Sequence, residues 1–252
     1  MRTIRVELET ATLGTEYDYL LEGQSLLGRL VMKTFEVYCH GLFRFYCPLT
    51  IEGQENIPDC SFVFCSNHNS HLDSGILMVA SGRGFQNCAM VAAKDYFFDN
   101  PVRKYFLNLI MNLIPIDRTS RFSRQSMLEY LLACKEFTGR GHRSLIIYPE
   151  GTRSRTGEIQ PFKKGPAMIS AEVGLPIVPA YIEGTHAVYP KGKLFMRPGK
   201  VRVTIGEPIY PEQFLGDGGR EGADKRPYRL LTEELEKRVH TLMNGIRDEK
   251  IR

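Results

Sequence analysis

The chain has 252 residues, of which 42% are hydrophobic and 25% charged, with a formal net charge of +4. That is enough apolar sequence for one sizeable core, the charged fraction is ordinary for a globular protein, and the net charge is too weak to indicate a nucleic-acid partner. No uncharged apolar run reaches the roughly 18 to 20 residues that a membrane span requires.

Residues 1–23 carry five acids (Glu7, Glu9, Glu16, Asp18, Glu22) and no apolar stretch of the signal-peptide kind. Residues 24–47 read as a helix. Leu27, Leu30, Val31 and Phe35 recur at three- and four-residue spacing, with Arg29, Lys33 and Glu36 between them. An aromatic cluster (Tyr38, Phe43, Phe45, Tyr46) follows and ends at Pro48. A basic amphipathic helix of this kind either packs on a core or lies in a membrane interface, and both readings stand. The expected organisation is an N-terminal amphipathic segment over 1–50 and one domain over 51–252.

From residue 61 strands and helices alternate. SFVFCS (61–66) reads as a buried strand, and 72–83 as a helix. NCAMVAAK (87–94) is a second strand, followed by a helical stretch from about 101 to 113 and a short IPID strand. A helix over 122–139 ends at Gly139 and Gly141. RSLIIYPEG (143–151) is a strand, 166–174 a short helix closed by Gly174, and 175–182 and 200–209 are further strands. A loop is expected at 216–226 and an amphipathic helix at 227–247. Strands alternating with helices predict an α/β domain, with a largely parallel sheet flanked by helices.

Four segments carry chemistry. The first is SNHNSHLDSG (66–75), with His68, His71 and Asp73 within six residues. It departs from the H-x-H-x-D-H spacing of binuclear metallohydrolases, and no H-E-x-x-H is present. Ser70 and Asp73 form an S-x-x-D capping box ahead of an apolar run. The turn lies between a strand and a helix, where α/β sheets bind ligands. In that turn Asp73 can accept a proton from a histidine, fix its tautomer, and leave its other nitrogen as a general base. No G-x-S-x-G elbow exists, so the base would act on a hydroxyl of the substrate.

The second segment is YPEGTRSRTG (148–157), where Gly151 permits close approach and Thr152 and Arg153 suit a phosphate. PIDRTSR (115–121) places Arg118 after another short strand. GLPIVPAYI (174–182) is a strand containing Pro179, an unusual position. Between Arg153 and Arg202 nine Lys or Arg face only three acids, a field that suits a phosphate-bearing ligand or an anionic membrane. Six cysteines without a C-x-x-C pair suggest reduced thiols and a cytosolic compartment.

In this order the four segments resemble the glycerolipid acyltransferase family, of the lysophosphatidic-acid acyltransferase type. The resemblance rests on Asn67, His68 and Asp73 in an N-H-x-x-x-x-D block, on Ile116, Asp117 and Arg118, on Pro149 to Ser154 with Tyr148 where Phe is usual, and on Ile177, Val178 and Pro179. It implies acyl transfer from a thioester, acyl-CoA or acyl carrier protein, to the free hydroxyl of a lysolipid. His68 would be the base, Asp73 its partner, and Lys94 a cation near the reacting centre. Arg118, Glu150, Gly151, Thr152 and Arg153 would hold the acceptor. The resemblance implies neither metal nor cofactor, and peripheral or monotopic attachment at the cytoplasmic face of a membrane. Three alternatives remain: a related acyltransferase with another acceptor, such as lyso-ornithine lipid, glycerol 3-phosphate or a specialised metabolite; a non-catalytic membrane-binding protein; and a metal-dependent hydrolase.

Overall fold

The structure, a computed structural model, describes residues 7–8, 12–14, 17, 20, 24–93, 107, 109–116, 123–215 and 226–251, except the side chains of 93, 247 and 249–251. Among these residues the sheet has seven strands: β1 (Leu49–Glu52), β2 (Phe62–Ser66), β3 (Cys88–Ala93), β4 (Asn112–Ile116), β5 (Ser144–Ile147), β6 (Ile177–Glu183) and β7 (Val201–Ile205). They lie in the order β1-β7-β6-β2-β5-β3-β4. Every pairing is parallel except β6 with β7.

Period-two alternation in the strands builds two cores, one on each sheet face. Val63, Cys65, Leu145 and Ile147 face one way, with α3 (Arg124–Thr138), α4 (Gly165–Val173) and α6 (Arg226–Ile251) packed over them. Phe62, Phe64, Ile146 and Val178 face the other, under α1 (Leu26–Gly41) and α2 (Leu72–Ala80). A short α5 spans Thr185–Val188. In α6 the core residues Leu231, Leu235, Val239, Met243 and Ile246 recur along a single helical stripe. The result is the predicted α/β architecture.

The elements differ from the expectation in three places. β1 was not foreseen; it is four residues long, lies at the sheet edge and has no fully buried residue. The domain boundary expected at residue 50 falls inside it. Leu8, Tyr17 and Leu20 join the core beside α3, and Glu7 pairs with Arg124 at 2.7 Å. β4 begins two residues before IPID because Asn112 is buried, its amide donating to the carbonyls of Gln86 and Cys88. The helix expected over 101–113 and the loop at 216–226 lie largely outside the described residues.

The apolar stripe read in α1 is split: Leu27 and Leu30 face solvent, whereas Val31 is half-buried and Phe35 packs against Phe85. The helix buries Gly28, Met32, Glu36 and Cys39 and leaves Leu26, Leu27, Leu30, Val37 and Tyr38 in solvent. A π-helical turn, Leu42–Tyr46, buries Phe43 and leads towards β1.

Candidate active site

β2 and β5 are parallel neighbours, with Cys65 opposite Ile147, so the turns that leave them emerge side by side. The first turn, 67–71, is closed from within. Asp73, on the first turn of α2 and fully buried, points one oxygen back at it. That Oδ2 accepts from the backbone N–H groups of Asn69 (2.7 Å) and Ser70 (2.8 Å), and lies 2.9 Å from Nδ1 of His68. Asp73 therefore caps the helix and orients the imidazole with the same atom. Half of the expected capping box forms. The Ser70 hydroxyl accepts from Leu72 N–H at 3.1 Å and donates to the Tyr189 carbonyl at 2.8 Å.

The His68 side chain keeps 16% exposure, and Nε2 has no hydrogen-bond partner among the described residues. Its ring lies flat on Tyr148, with centroids 3.6 Å apart and planes 7° from parallel. The Tyr148 hydroxyl is 2.9 Å from the Ser74 hydroxyl. Burial first, and then the neighbouring Asp73 charge, hold the Tyr148 phenol well above its ordinary range, so it stays protonated. Asn67 fastens the turn to β6: its amide donates to the Ile182 carbonyl (2.9 Å) and accepts from the Ile182 N–H (2.7 Å).

The second turn, after β5, grips the backbone of the first. Glu150 Oε1 accepts from His68 N–H at 2.8 Å, and Ser154 N–H donates to the His68 carbonyl at 2.7 Å. The other oxygen of Glu150 accepts from Gln160 N–H at 3.2 Å. Glu150 is buried, which raises its carboxyl to about 7; the two N–H groups oppose that shift and Asp73 adds to it. Gly151 adopts φ +72°, a conformation that favours glycine, and a Cβ there would lie 2.6 Å from Lys163 Nζ. Its N–H donates to the Tyr148 carbonyl.

Outside this frame cations gather. Lys191 Nζ reaches the Thr152 hydroxyl at 3.2 Å and the Arg153 carbonyl at 3.5 Å. Partial desolvation, and then Arg155 and Arg153, hold the Lys191 ammonium below its ordinary value. Mutually repelling cations of this kind are relieved by an anion placed among them. His71 is pushed down towards about 4, chiefly by desolvation and then by Arg153 and His68. Among the described residues, no three of His, Cys, Asp and Glu converge on a point where a metal could sit.

Comparison with known proteins gives the lineage of this arrangement. Residues 48–183 match the family model described as Acyltransferase. The chain belongs to the Acyltransferase family. It is 36% identical over 163 residues to a chloroplastic 1-acyl-sn-glycerol-3-phosphate acyltransferase of Brassica napus, covering 64% of this chain and 44% of the relative. It is 32% identical over 190 residues to the human 1-acyl-sn-glycerol-3-phosphate acyltransferase beta, covering 75% and 63%. The crystal structure of the 1-acyl-sn-glycerophosphate acyltransferase of Thermotoga maritima superposes with a TM-score of 0.64 at 25% identity, covering 99% of this chain and 94% of that one. The matched region spans about half the length of the first plant relatives.

Of the residues expected at an acyltransferase site, the fold brings His68, Asp73, Glu150, Gly151, Thr152 and Arg153 together. Lys94 and Arg118 lie outside the described residues; β3 and β4, which precede them, end side by side at Ala93 and Ile116. Both Glu150 oxygens accept from backbone N–H groups, those of His68 and Gln160, so its carboxylate braces the turn that carries His68. Asn67 entered the sequence reading only as part of a motif, and Tyr148 only as a variant of one. Lys191 was only part of a basic count. Their contacts join segments 74 to 115 residues apart or, for Lys191, 38 to 39. No spacing rule reports such contacts.

Proposed function

We propose that this chain transfers an acyl group from a fatty acyl thioester, acyl-CoA or acyl carrier protein, to the free hydroxyl of a lysophospholipid. The acceptor favoured is 1-acyl-glycerol-3-phosphate, giving phosphatidic acid. The observation that carries this reading is the His68–Asp73 pair, held from both sides and open at Nε2, next to the cations at Arg153, Arg155 and Lys191.

In this mechanism the acceptor phosphate sits among those cations, and its free hydroxyl reaches Nε2. His68 removes the hydroxyl proton as the oxygen attacks the thioester carbonyl carbon, and the buried Asp73 charge stabilises the imidazolium that forms. The carbon–sulfur bond then breaks, and the same proton passes from His68 to the departing thiolate. Ester and free thiol are the products, with no change of oxidation state and no cofactor required. The enzyme would work peripherally at the cytoplasmic face of a membrane. The exposed Leu26, Leu27 and Leu30 of α1 support the peripheral attachment.

The test is thiol release from acyl-CoA with lysophosphatidic acid. His68→Ala is expected to lower kcat by about 10²- to 10⁴-fold with the melting temperature unchanged. A near-normal rate in that variant would sink the mechanism. Arg153→Ala is expected to raise the acceptor KM by about tenfold and leave kcat nearly intact. An unaltered KM would point to an acceptor without phosphate.

A further inference from the structure

The connection between β6 and β7 exposes two adjacent large apolar side chains, Leu194 and Phe195, each 80% accessible. The same connection carries Lys191, Lys193, Arg197 and Lys200, and residues 184–200 contain no acid. An exposed Leu-Phe pair flanked along the chain by cations matches, in apolar reach and in sign of charge, the surface of an anionic bilayer.

The sheet explains where this pair sits. β7 runs opposite to β6, and β1 follows β7. Both strands therefore begin at the edge where β2 and β5 end. The chain entering β1 and the chain entering β7 are brought together there: Tyr46 donates from its hydroxyl to the Met196 carbonyl at 3.2 Å. Next to Tyr46, Phe45 is 82% exposed. The same connection is tied to the catalytic turn through the Tyr189 carbonyl and Ser70, and to the phosphate-side turn through Lys191 and Thr152.

We infer that residues 190–199 form a second lipid contact, which with Phe45 seats the mouth of the active site on an anionic bilayer. This rests on the peripheral attachment proposed above and extends it from α1 to the site itself. An acceptor would then pass from bilayer to base without leaving the interface, its phosphate meeting Lys191 and Arg153 at headgroup level.

The chain contains no tryptophan, so Phe195→Trp creates a single fluorescent reporter. Vesicles of phosphatidylcholine with phosphatidylglycerol should shift its emission to the blue, and brominated acyl chains should quench it. Phosphatidylcholine alone should do so far more weakly. The double variant Leu194→Ser/Phe195→Ser should bind the anionic vesicles at least about tenfold more weakly. Lys193→Glu should weaken binding by about fivefold or more. Both should keep the parent's melting temperature and its rate on a short-chain, water-soluble acceptor, and lose rate on acceptor presented in vesicles. The inference is overturned if the reporter neither shifts nor quenches, or if the double variant binds as tightly as the parent. It is also overturned if the pair proves to hold two copies together, seen as self-association that the double variant abolishes without vesicle quenching. If no acceptor is acylated at all, the proposed function fails, and quenching still decides the lipid contact.

Discussion

Asp73 and Glu150 are both buried carboxylates, and they do opposite things with their charge. Asp73 concentrates three donors on one oxygen and keeps Oδ1 without a partner among the described residues, so its charge is directed at the imidazole. Glu150 divides its oxygens between two backbone N–H groups and touches the His68 side chain with neither. Its pH behaviour follows from burial. Its carboxyl rises from the ordinary 4.5 to about 7, so between those values the folded chain holds a proton that the unfolded chain has released. Stability from this group is therefore present at acid pH and lost as pH rises through about 7, on the order of 3 kcal/mol in all. Glu150→Gln should remove this slope, so that melting temperatures of the variant fall less than those of the parent between pH 5 and 8. Because an amide offers a donor where an acceptor is needed, the variant should also loosen the His68 backbone. We expect kcat to fall by about tenfold and the acceptor KM to stay close to that of the parent. A raised KM with unchanged kcat would return Glu150 to the acceptor.

Among elements, the β2–α2 turn depends most on contacts far away in sequence. Asn67 bonds both backbone groups of Ile182, 115 residues away, and is almost fully buried. Asn67→Ala would leave a buried donor and a buried acceptor unmatched, which costs about 2–4 kcal/mol. Urea unfolding should show that loss, together with a reduced rate. The sequence made β2, β5 and β6 legible because each is a compact run of large apolar residues with buried neighbours. β1 was not legible, because LTIE is short, half polar and paired on one side only. The face of α1 that touches the core was left open for a related reason. Its buried positions are Gly28, Glu36 and Cys39 beside Met32, with Phe35 packed partly against them, whereas its leucines point outward, so hydrophobicity alone does not single out one side. In the site, His68 and Asp73 were legible because they are five residues apart and meet through one turn. The inward orientation of Glu150 and the reach of Lys191 depend on loop geometry that the local pattern does not encode.

At the scale of the molecule, two helical layers over a mostly parallel sheet place the carboxyl ends of β2 and β5 in one line, and the reversed β7 adds the 184–200 connection to that line. The part of the connection that bonds the site is its beginning, at Tyr189 and Lys191, whereas Arg197 N–H returns to the Val188 carbonyl and closes it. Residues 192–195 thus hang from a base clasped at both sides. Exchanging them for four small polar residues should leave the unfolding temperature within about 2 °C of the parent, because surface changes away from core and caps stay within about 0.5 kcal/mol. No strand register passes through that tip. The chain therefore carries a graft point: a short cassette at the entrance to the chemistry that can be lengthened, shortened or recoded while the sheet, the helices and the His68–Asp73 pair keep their places.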